Sequence, residues 1–385
     1  MLPPLPALLA DLVRLPSVNP MGRSDLPPGL LYESRVTDYL EARLRDLGVP
    51  CRRQPVAPGR DNLVARYDPP APAPFTALWE AHQDTVPIDG MTVEPFAAAV
   101  EGGRLYGRGA CDVKAGIACM LAAFARLVRE KPAGSAAVVL AFTVDEEHTF
   151  LGVQHLMQSG VRADGAVVAE PTGLNIVTAH KGVVRWRVET AGRACHSSRP
   201  QDGENAVYHM ARVVNEVENY AGQLSARPPH PALGPPTLSL GRIEGGTSPN
   251  TVPDFCRIDL DRRLLPGEGA AEAVADLERW LRNEPLTAAI PYRFSPPVLA
   301  CPPLDPASSG ELAERLGRAI DAVIGPHQVT AVPYGTDAST IAQAGVPAVV
   351  FGPGDIAQAH TRDEWVELAQ VEQAAEVLYR FARGG

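Results

Sequence analysis

Imidazole and carboxylate side chains recur in this sequence at points where apolar segments end. Most of them directly follow such a segment, and one directly precedes a long apolar stretch. The residues concerned are His82, Asp84, Asp112, Glu146, Glu147, Glu170 and His360. Nitrogen and oxygen donors without a thiolate suit zinc, cobalt or manganese, with coordination positions left open for water. The residue types therefore predict a metal site.

Each of these short motifs has a simpler explanation when it is taken alone. A His-x-Asp pair often lies on the surface or caps a turn, and adjacent glutamates are commonly just solvated. Their recurrence at successive strand ends favours a common site, because ligands bind beyond the carboxyl ends of parallel strands. Nucleotide binding is disfavoured, since Gly107-x-Gly109 lacks a third glycine and no Gly-Lys-Ser/Thr phosphate loop is present.

The elements that must position these residues alternate between strand and helix. The segment 114–130 is apolar on nearly all sides and predicts a buried helix. Apolar runs predict strands over Phe75–His82, Ala136–Val144, Gly165–Ala169 and Pro347–Gly352. Continuous apolar strands that alternate with helices indicate a mainly parallel sheet sandwiched between helices, an α/β fold.

The middle of the chain has a different pattern, in which half-buried strands alternate apolar and polar residues. Strands are predicted over Val183–Thr190, Thr237–Ile243 and Cys256–Leu264, and helices over Asn205–Tyr220 and Gly269–Leu281. This order suits a small α+β sheet with helices on one side. We therefore predict a catalytic domain over residues 1–179 and 293–385, interrupted by an inserted domain over 180–292.

Composition restricts the possible partners. The net charge is −10, so a basic face for nucleic acid or an anionic membrane surface is not expected. No apolar stretch approaches the roughly 20 residues that span a bilayer, and the first residues do not resemble a signal peptide. The 6 cysteines are scattered without a CxxC pair, which favours reduced thiols and a cytoplasmic location.

Five segments of the chain, in order, carry a resemblance to a known family. They are Glu80–Pro87, Gly107–Gly116, Val144–Glu147, Ala169–Thr172 and Gly352–His360. They resemble the signature segments of the family of acetylornithine deacetylase and succinyl-diaminopimelate desuccinylase. Aminoacylase and the glutamate-releasing carboxypeptidase are relatives in that family. The last segment is more similar to the acetylornithine deacetylase branch. Val113 and Ala115 depart from the commoner Met and Gly of the pattern.

The resemblance implies a site for two metal ions, Zn²⁺ or Co²⁺. His82 and Glu170 would hold one ion, Glu147 and His360 would hold the other, and Asp112 would bridge them. The carboxylate of Asp84 would accept a hydrogen bond from the far nitrogen of His82 and fix its tautomer. The resemblance also implies a cis peptide bond after Asp112.

The expected chemistry is hydrolysis of an amide. Two cations would lower the pKa of a water molecule, and a neighbouring carboxylate would take its proton. We assign this role of general base to Glu146 and metal binding to Glu147. Adjacent carboxylates can take different roles when a metal neutralises only one of them.

The inserted domain supplies further candidates through the resemblance. His196 matches a histidine that reaches the site of a neighbouring subunit and hydrogen-bonds the oxyanion. Arg263 matches an arginine that binds the substrate carboxylate. Asn250 would bind substrate or oxyanion, and Gly335 would line the pocket. The simpler alternatives are a solvated loop histidine and an arginine in a structural ion pair.

The resemblance therefore implies a homodimeric di-metal amidohydrolase acting on a small-molecule N-acyl amino acid, with the inserted ferredoxin-like domain as dimerisation and lid domain. N-Acetylornithine is the leading substrate. N-Succinyl-diaminopimelate or a dipeptide is the alternative within the family. From different classes, a non-catalytic binding protein on the same fold and a nucleotide-dependent enzyme remain alternatives. The filled set of ligand and base positions argues against the non-catalytic protein.

Overall fold

The Val- and Ala-rich segments that precede the candidate ligands form the centre of an eight-stranded sheet. A computed structural model describes residues 2–384 of the chain. The strands of this sheet are β1 (Cys51–Ala57), β2 (Arg60–Tyr67), β3 (Thr76–His82), β6 (Ala137–Thr143), β7 (Gly165–Val168), β8 (Ile176–His180), β14 (Val329–Val332) and β15 (Ala348–Val350). Their spatial order is β1-β2-β6-β3-β7-β15-β8-β14.

The central strands of this sheet are parallel and are buried along nearly their whole length. β3 pairs in parallel with both β6 and β7, and β15 pairs in parallel with β7. β1, β2 and β6 are joined by antiparallel pairing. Strands covered on both faces need no polar alternation, which explains the continuous apolar runs of the sequence.

Helices cover this sheet, and they are α1 (Leu5–Val13), α2 (Ser34–Asp46), α3 (Lys114–Glu130), α4 (Leu151–Gln158), α7 (Gly310–Asp321), α8 (Asp337–Gln343) and α9 (Leu368–Arg383). α3 packs against α1 and α9 and is buried along most of its length. Gly116 allows α3 to approach β7 closely, because a Cβ there would lie 2.5 Å from the Cβ of Ala169. The predicted α/β fold is confirmed.

A separate small sheet lies in the middle of the chain. Its elements are β9 (Gly182–Ala191), α5 (Ala206–Ser225), β10 (Thr237–Gly245), β11 (Phe255–Leu264), α6 (Ala270–Asn283), β12 (Tyr292–Phe294) and β13 (Leu299–Cys301). The strand order β10-β11-β9-β12, with antiparallel pairing, is ferredoxin-like. One face packs on α5 and α6, and the other carries ion pairs such as Arg185–Asp261.

These elements divide between two compact units. The first comprises the chain up to Ala179, Asp305–Ala331 and the chain from Thr336 onward; the second comprises His180–Leu304 and Val332–Gly335. The inserted domain was predicted to end at 292, whereas the second unit continues to Leu304. The reason is that β12 and β13 both pair with β9. Strands of three residues are too short to show a sequence period.

A third, short sheet completes the first unit. It contains β4 (Ala99–Glu101), β5 (Arg104–Tyr106) and β16 (Trp365–Glu367) in the order β16-β5-β4. All six cysteines lie in the described part of the chain, and no disulfide joins any two of them. Over residues 2–384, no helix has both the length and the apolar character that crossing a membrane requires.

Candidate metal centre

His82, Asp112 and Glu170 form a buried group at the carboxyl ends of β3 and β7. His82 is the last residue of β3, Glu170 follows β7, and Asp112 stands in the loop that leads into α3. The Nε2 atom of His82 lies 3.1 Å from Oδ1 of Asp112 and 3.9 Å from Oε1 of Glu170. One ligand atom from each residue lies within 4.8 Å of the others. The parallel sheet thus brings these three donors to one point.

Asp112 also belongs to a second group, with Glu147 and His360. The Nε2 atom of His360 lies 3.3 Å from Oδ2 of Asp112 and 3.2 Å from the Glu147 carboxylate. These three donors again lie within 4.8 Å of one another. Asp112 therefore directs one carboxylate oxygen to each histidine, which is the arrangement that a bridging ligand needs.

Two glycines allow the loop before His360 to pack against the ligand-bearing segments. A Cβ on Gly352 would lie 2.5 Å from the backbone oxygen of Glu170. Gly354 has a φ of +90°, and a Cβ there would lie 2.5 Å from Sγ of Cys111. Larger residues at these positions would separate the His360 loop from the rest of the group.

The charges of the site fit divalent cations. Burial and the neighbouring charge of Asp112 raise the pKa of Glu147 and the pKa of Glu170. Burial alone would lower the pKa of His360, but its hydrogen bonds to Asp112 and Glu147 outweigh burial and raise the pKa to about 11. The carboxylates thus attract positive charge, and their oxygen and nitrogen donors suit two divalent ions.

Glu146 lies beside both groups and is buried. Its backbone N–H donates to Oδ1 of Asp84 over 3.2 Å, and the N–H of Glu147 donates to Oδ2 over 3.2 Å. Burial, followed by the charge of Glu170, raises the pKa of Glu146 well above its usual value, although the charge of His82 opposes the shift. A carboxylate with a raised pKa accepts a proton more readily near neutral pH.

Asp84 contacts His82 in a different way from the predicted one. The Nδ1 atom of His82 lies 3.0 Å from the backbone oxygen of Asp84 and 3.6 Å from its carboxylate. The carboxylate instead accepts hydrogen bonds from the backbone of Glu146 and Glu147 and from Asn19. Two residues on one side of an extended segment can meet through side chain or backbone, and spacing alone does not distinguish these contacts. The peptide bond after Asp112 is cis, as predicted.

The candidates of the second unit lie in or beside loops. The loops of His196 and Asn250 are joined, because the N–H of Ser197 donates to the backbone oxygen of Asn250 over 3.0 Å. Nδ1 of His196 lies 2.7 Å from the hydroxyl of Ser198, and both candidate side chains are exposed. The structure thus brings His196 and Asn250 close together within the second unit.

Arg263 and Gly335 have different surroundings. Nε of Arg263 donates to Oδ1 of Asp261 over 2.8 Å, so this arginine does form the ion pair that the sequence left open. Asp261 also accepts from Arg185 over 2.8 Å. A Cβ on Gly335 would lie 3.4 Å from Sγ of Cys301 and 3.5 Å from the backbone oxygen of Lys181.

The sequence of the chain is similar to those of known proteins. A family profile described as Peptidase family M20/M25/M40 matches residues 78–384. The chain belongs to this family. Membership confirms the family predicted from the signature segments, and it makes the chain a metal-dependent amidohydrolase.

Individual members of the M20/M25/M40 family match over nearly the whole chain. An acetylornithine deacetylase of Myxococcus xanthus is 31% identical over 389 residues, covering 98% of this chain and 97% of the relative. That of Edwardsiella ictaluri (strain 93-146) is 33% identical over 377 residues, covering 95% and 93%. The structure of an M20 family metallo-carboxypeptidase from Sulfolobus solfataricus shares the fold, with a TM-score of 0.79, 18% identity and coverage of 100% and 99%.

This M20/M25/M40 member also has buried residues beside the ligand groups that no sequence motif marked. Nδ2 of Asn19 donates to Asp84 over 2.8 Å and to Asp145 over 2.9 Å. Arg60 donates to Asp145 over 2.6 Å and also pairs with buried Glu33. This buried network fixes the segment that carries Glu146. The acidic run at 145–147 was visible in the sequence, but no pattern marked Asn19 or Arg60.

Proposed function

We propose that the chain removes the acyl group from an N-acyl amino acid, with N-acetyl-L-ornithine as substrate and ornithine and acetate as products. The proposal rests on Asp112, because one of its carboxylate oxygens faces His82 and the other faces His360. Glu146 lies beside both ligand groups. The named activity of the two relatives and the Gly352–His360 segment favour the acetyl compound over a succinyl one.

The residues present suit two divalent cations, for which zinc or cobalt is proposed. His82 and Glu170 would hold one, Glu147 and His360 the other, and Asp112 would contact both. When bound, such a pair of cations lowers the pKa of a water molecule and polarises the substrate carbonyl.

Glu146 would act as the general base and then as the general acid. Its carboxylate would take a proton from the attacking water as the water oxygen bonds to the carbonyl carbon. It would then deliver that proton to the amine nitrogen as the carbon–nitrogen bond breaks. Both transfers require a carboxylate beside the reacting atoms, and the buried Glu146 directly precedes the proposed ligand Glu147.

The second unit would complete the site in a homodimer. We propose that His196 donates to the developing oxyanion in a second copy of the chain, with Asn250 assisting. Arg263 would bind the substrate carboxylate and Gly335 would line the pocket. β10 stands at the edge of its sheet with most of its residues exposed, so its backbone offers a pairing surface for a second copy.

The proposal is tested by measuring amine release from N-acetyl-L-ornithine and from N-succinyl-diaminopimelate by protein loaded with Zn²⁺ or Co²⁺. We expect turnover of the first compound and its loss on chelation. Preference for the second compound would replace the proposed substrate while leaving the reaction type. No hydrolysis of either compound would contradict the proposed substrate class.

The role of Glu146 is tested by comparing Glu146→Gln with Glu147→Gln, which makes the same change one residue away. We expect E146Q to retain two cations per chain but to lose about 10²- to 10⁴-fold in kcat, the usual contribution of a general base. E147Q should lose a cation as well as activity. Metal analysis and steady-state kinetics distinguish the two, and normal turnover by E146Q would exclude the assignment.

A further inference from the structure

Glu364 is a buried carboxylate close to the candidate metal centre, with no assigned role in the proposed reaction. It lies four residues after His360, just before β16, and is completely buried. Its Oε1 atom accepts hydrogen bonds from the backbone N–H groups of Cys111, over 2.9 Å, and of Asp112, over 3.0 Å. Its Oε2 atom accepts from Arg108 over 2.6 Å.

The same residue contacts the other end of this loop through its backbone. The N–H of Gly107 donates to the carbonyl oxygen of Glu364 over 3.0 Å. One residue therefore holds the segment from Gly107 to Asp112 at both ends. Hydrogen bonds from N–H groups to a carboxylate are stronger than those to a neutral acceptor, particularly when they are buried.

These contacts fix the orientation of the residue that both ligand groups share. Asp112 can serve two groups only if its backbone directs Oδ1 toward His82 and Oδ2 toward His360. Glu364 holds the N–H of Asp112 itself and belongs to the chain segment that carries His360. It thus connects the bridging aspartate with the loop that supplies a ligand of the second group.

We infer that Glu364 is a positioning residue, which holds Asp112 and the His360 segment in the geometry required to bind both cations. This inference rests on the proposed function, because it concerns the same pair of cations. Groups that orient metal ligands typically change metal affinity by 10- to 100-fold when they are substituted. Since Asp112 is common to both groups, the affinity for both cations should fall.

Glu364→Gln keeps the size of the side chain and removes its charge. Glu367→Gln is a matched control, because Glu367 pairs with Arg104 over 2.7 Å in the same short sheet and is half-exposed. Dissociation constants for Zn²⁺ and Co²⁺ would be measured on the full chain by competition with a chelator. The melting temperature of the metal-free protein, kcat and KM would be measured in parallel.

We expect E364Q to weaken the binding of both cations by 10- to 100-fold, and E367Q to change it less than twofold. In E364Q, kcat should fall at limiting metal with KM nearly unchanged, and excess Zn²⁺ should restore it. Glu364→Asp, which keeps the charge at a shorter reach, should give an intermediate affinity and covers the case in which E364Q does not fold.

Wild-type affinity in E364Q and E364D would overturn the inference. Equal losses of cation affinity in E364Q and E367Q would also overturn it, because they would indicate general destabilisation. A loss of kcat that excess metal does not restore would have the same meaning. Failure of the wild-type chain to bind two cations would instead contradict the proposed function.

Discussion

The candidate residues of the two units differ in how their side chains are held. In the first unit, the contacts join residues far apart in the chain, such as His82 with Asp112 and His360 with Glu147. In the second unit, His196 contacts Ser198, Asn250 contacts Ser248 and Arg263 contacts Asp261, each two residues away. The first set is fixed by the fold, whereas the second depends on local conformation.

This difference has an energetic consequence. Moving a buried ligand of the first unit breaks several hydrogen bonds and leaves polar atoms without partners, which costs about 1–3 kcal/mol for each buried group. An exposed pair such as His196 with Ser198 exchanges with water at small net cost. The buried candidates of the first unit, unlike the exposed His360, are therefore held firmly, whereas the exposed candidates of the second unit change conformation at small cost.

The largest expected effect comes from the residue that both ligand groups share. Asp112→Asn should abolish binding of both cations and lower kcat/KM by at least about 10³-fold, because metal ions supply several kcal/mol of transition-state stabilisation. Asp68→Asn, at an exposed carboxylate, is the control. Metal analysis and kinetics would show the change. Two tightly bound cations in D112N would show that Asp112 is not needed to hold either cation.

A smaller effect is expected in the second unit. His196→Ala should lower kcat by about 10²- to 10³-fold, the usual loss for one oxyanion donor, with two cations retained. Its melting temperature should be unchanged, since the side chain is exposed. His209→Ala is the matched control. If H196A instead unfolds or loses metal, His196 is fixed by the fold as firmly as the candidate ligands of the first unit.

The smallest effect concerns stability and a residue at the start of the second unit. Burial lowers the pKa of His180 to about 4, so between about pH 4 and 6.5 the unfolded chain binds more protons than the folded one. Stability should therefore fall as the pH is lowered through this range, by up to about 3 kcal/mol from this residue.

The urea concentration at half-unfolding, measured between pH 4 and 7, tests this expectation. His180→Gln should flatten the profile, and His155→Gln, the same change at an exposed histidine, should alter it less. An unaltered slope in H180Q would show that the burial of His180 does not contribute to the pH dependence of stability.

The sequence predicted the parts of the fold in which local pattern and burial agree. α3 was predicted with its observed bounds, and β3, β6 and β7 within a residue or two, because an apolar run in this fold has only the sheet or its covering helices to pack against. The hairpin of β1 and β2 was not predicted, since arginines and a proline interrupt any alternation there.

Prediction of the site failed where a contact depends on tertiary structure alone. Arg60 and Asn19 reach Asp145 across the fold, and Glu364 reaches Asp112 from the far end of the chain. No local period encodes such pairs. The Asp84 carboxylate was predicted to accept a hydrogen bond from the His82 ring. The spacing of two residues does not show which backbone N–H groups from elsewhere in the chain also reach this carboxylate.

The longest segment of the second unit runs from His180 to Leu304, and these two residues pair with each other in an antiparallel bridge. For the chain on either side, this segment is therefore equivalent to a tight turn. Because the two ends of this segment lie side by side, inserting it adds little to the entropy cost of closing the surrounding chain. The rest of the fold therefore requires only that these two residues meet, whatever the length of the chain between them.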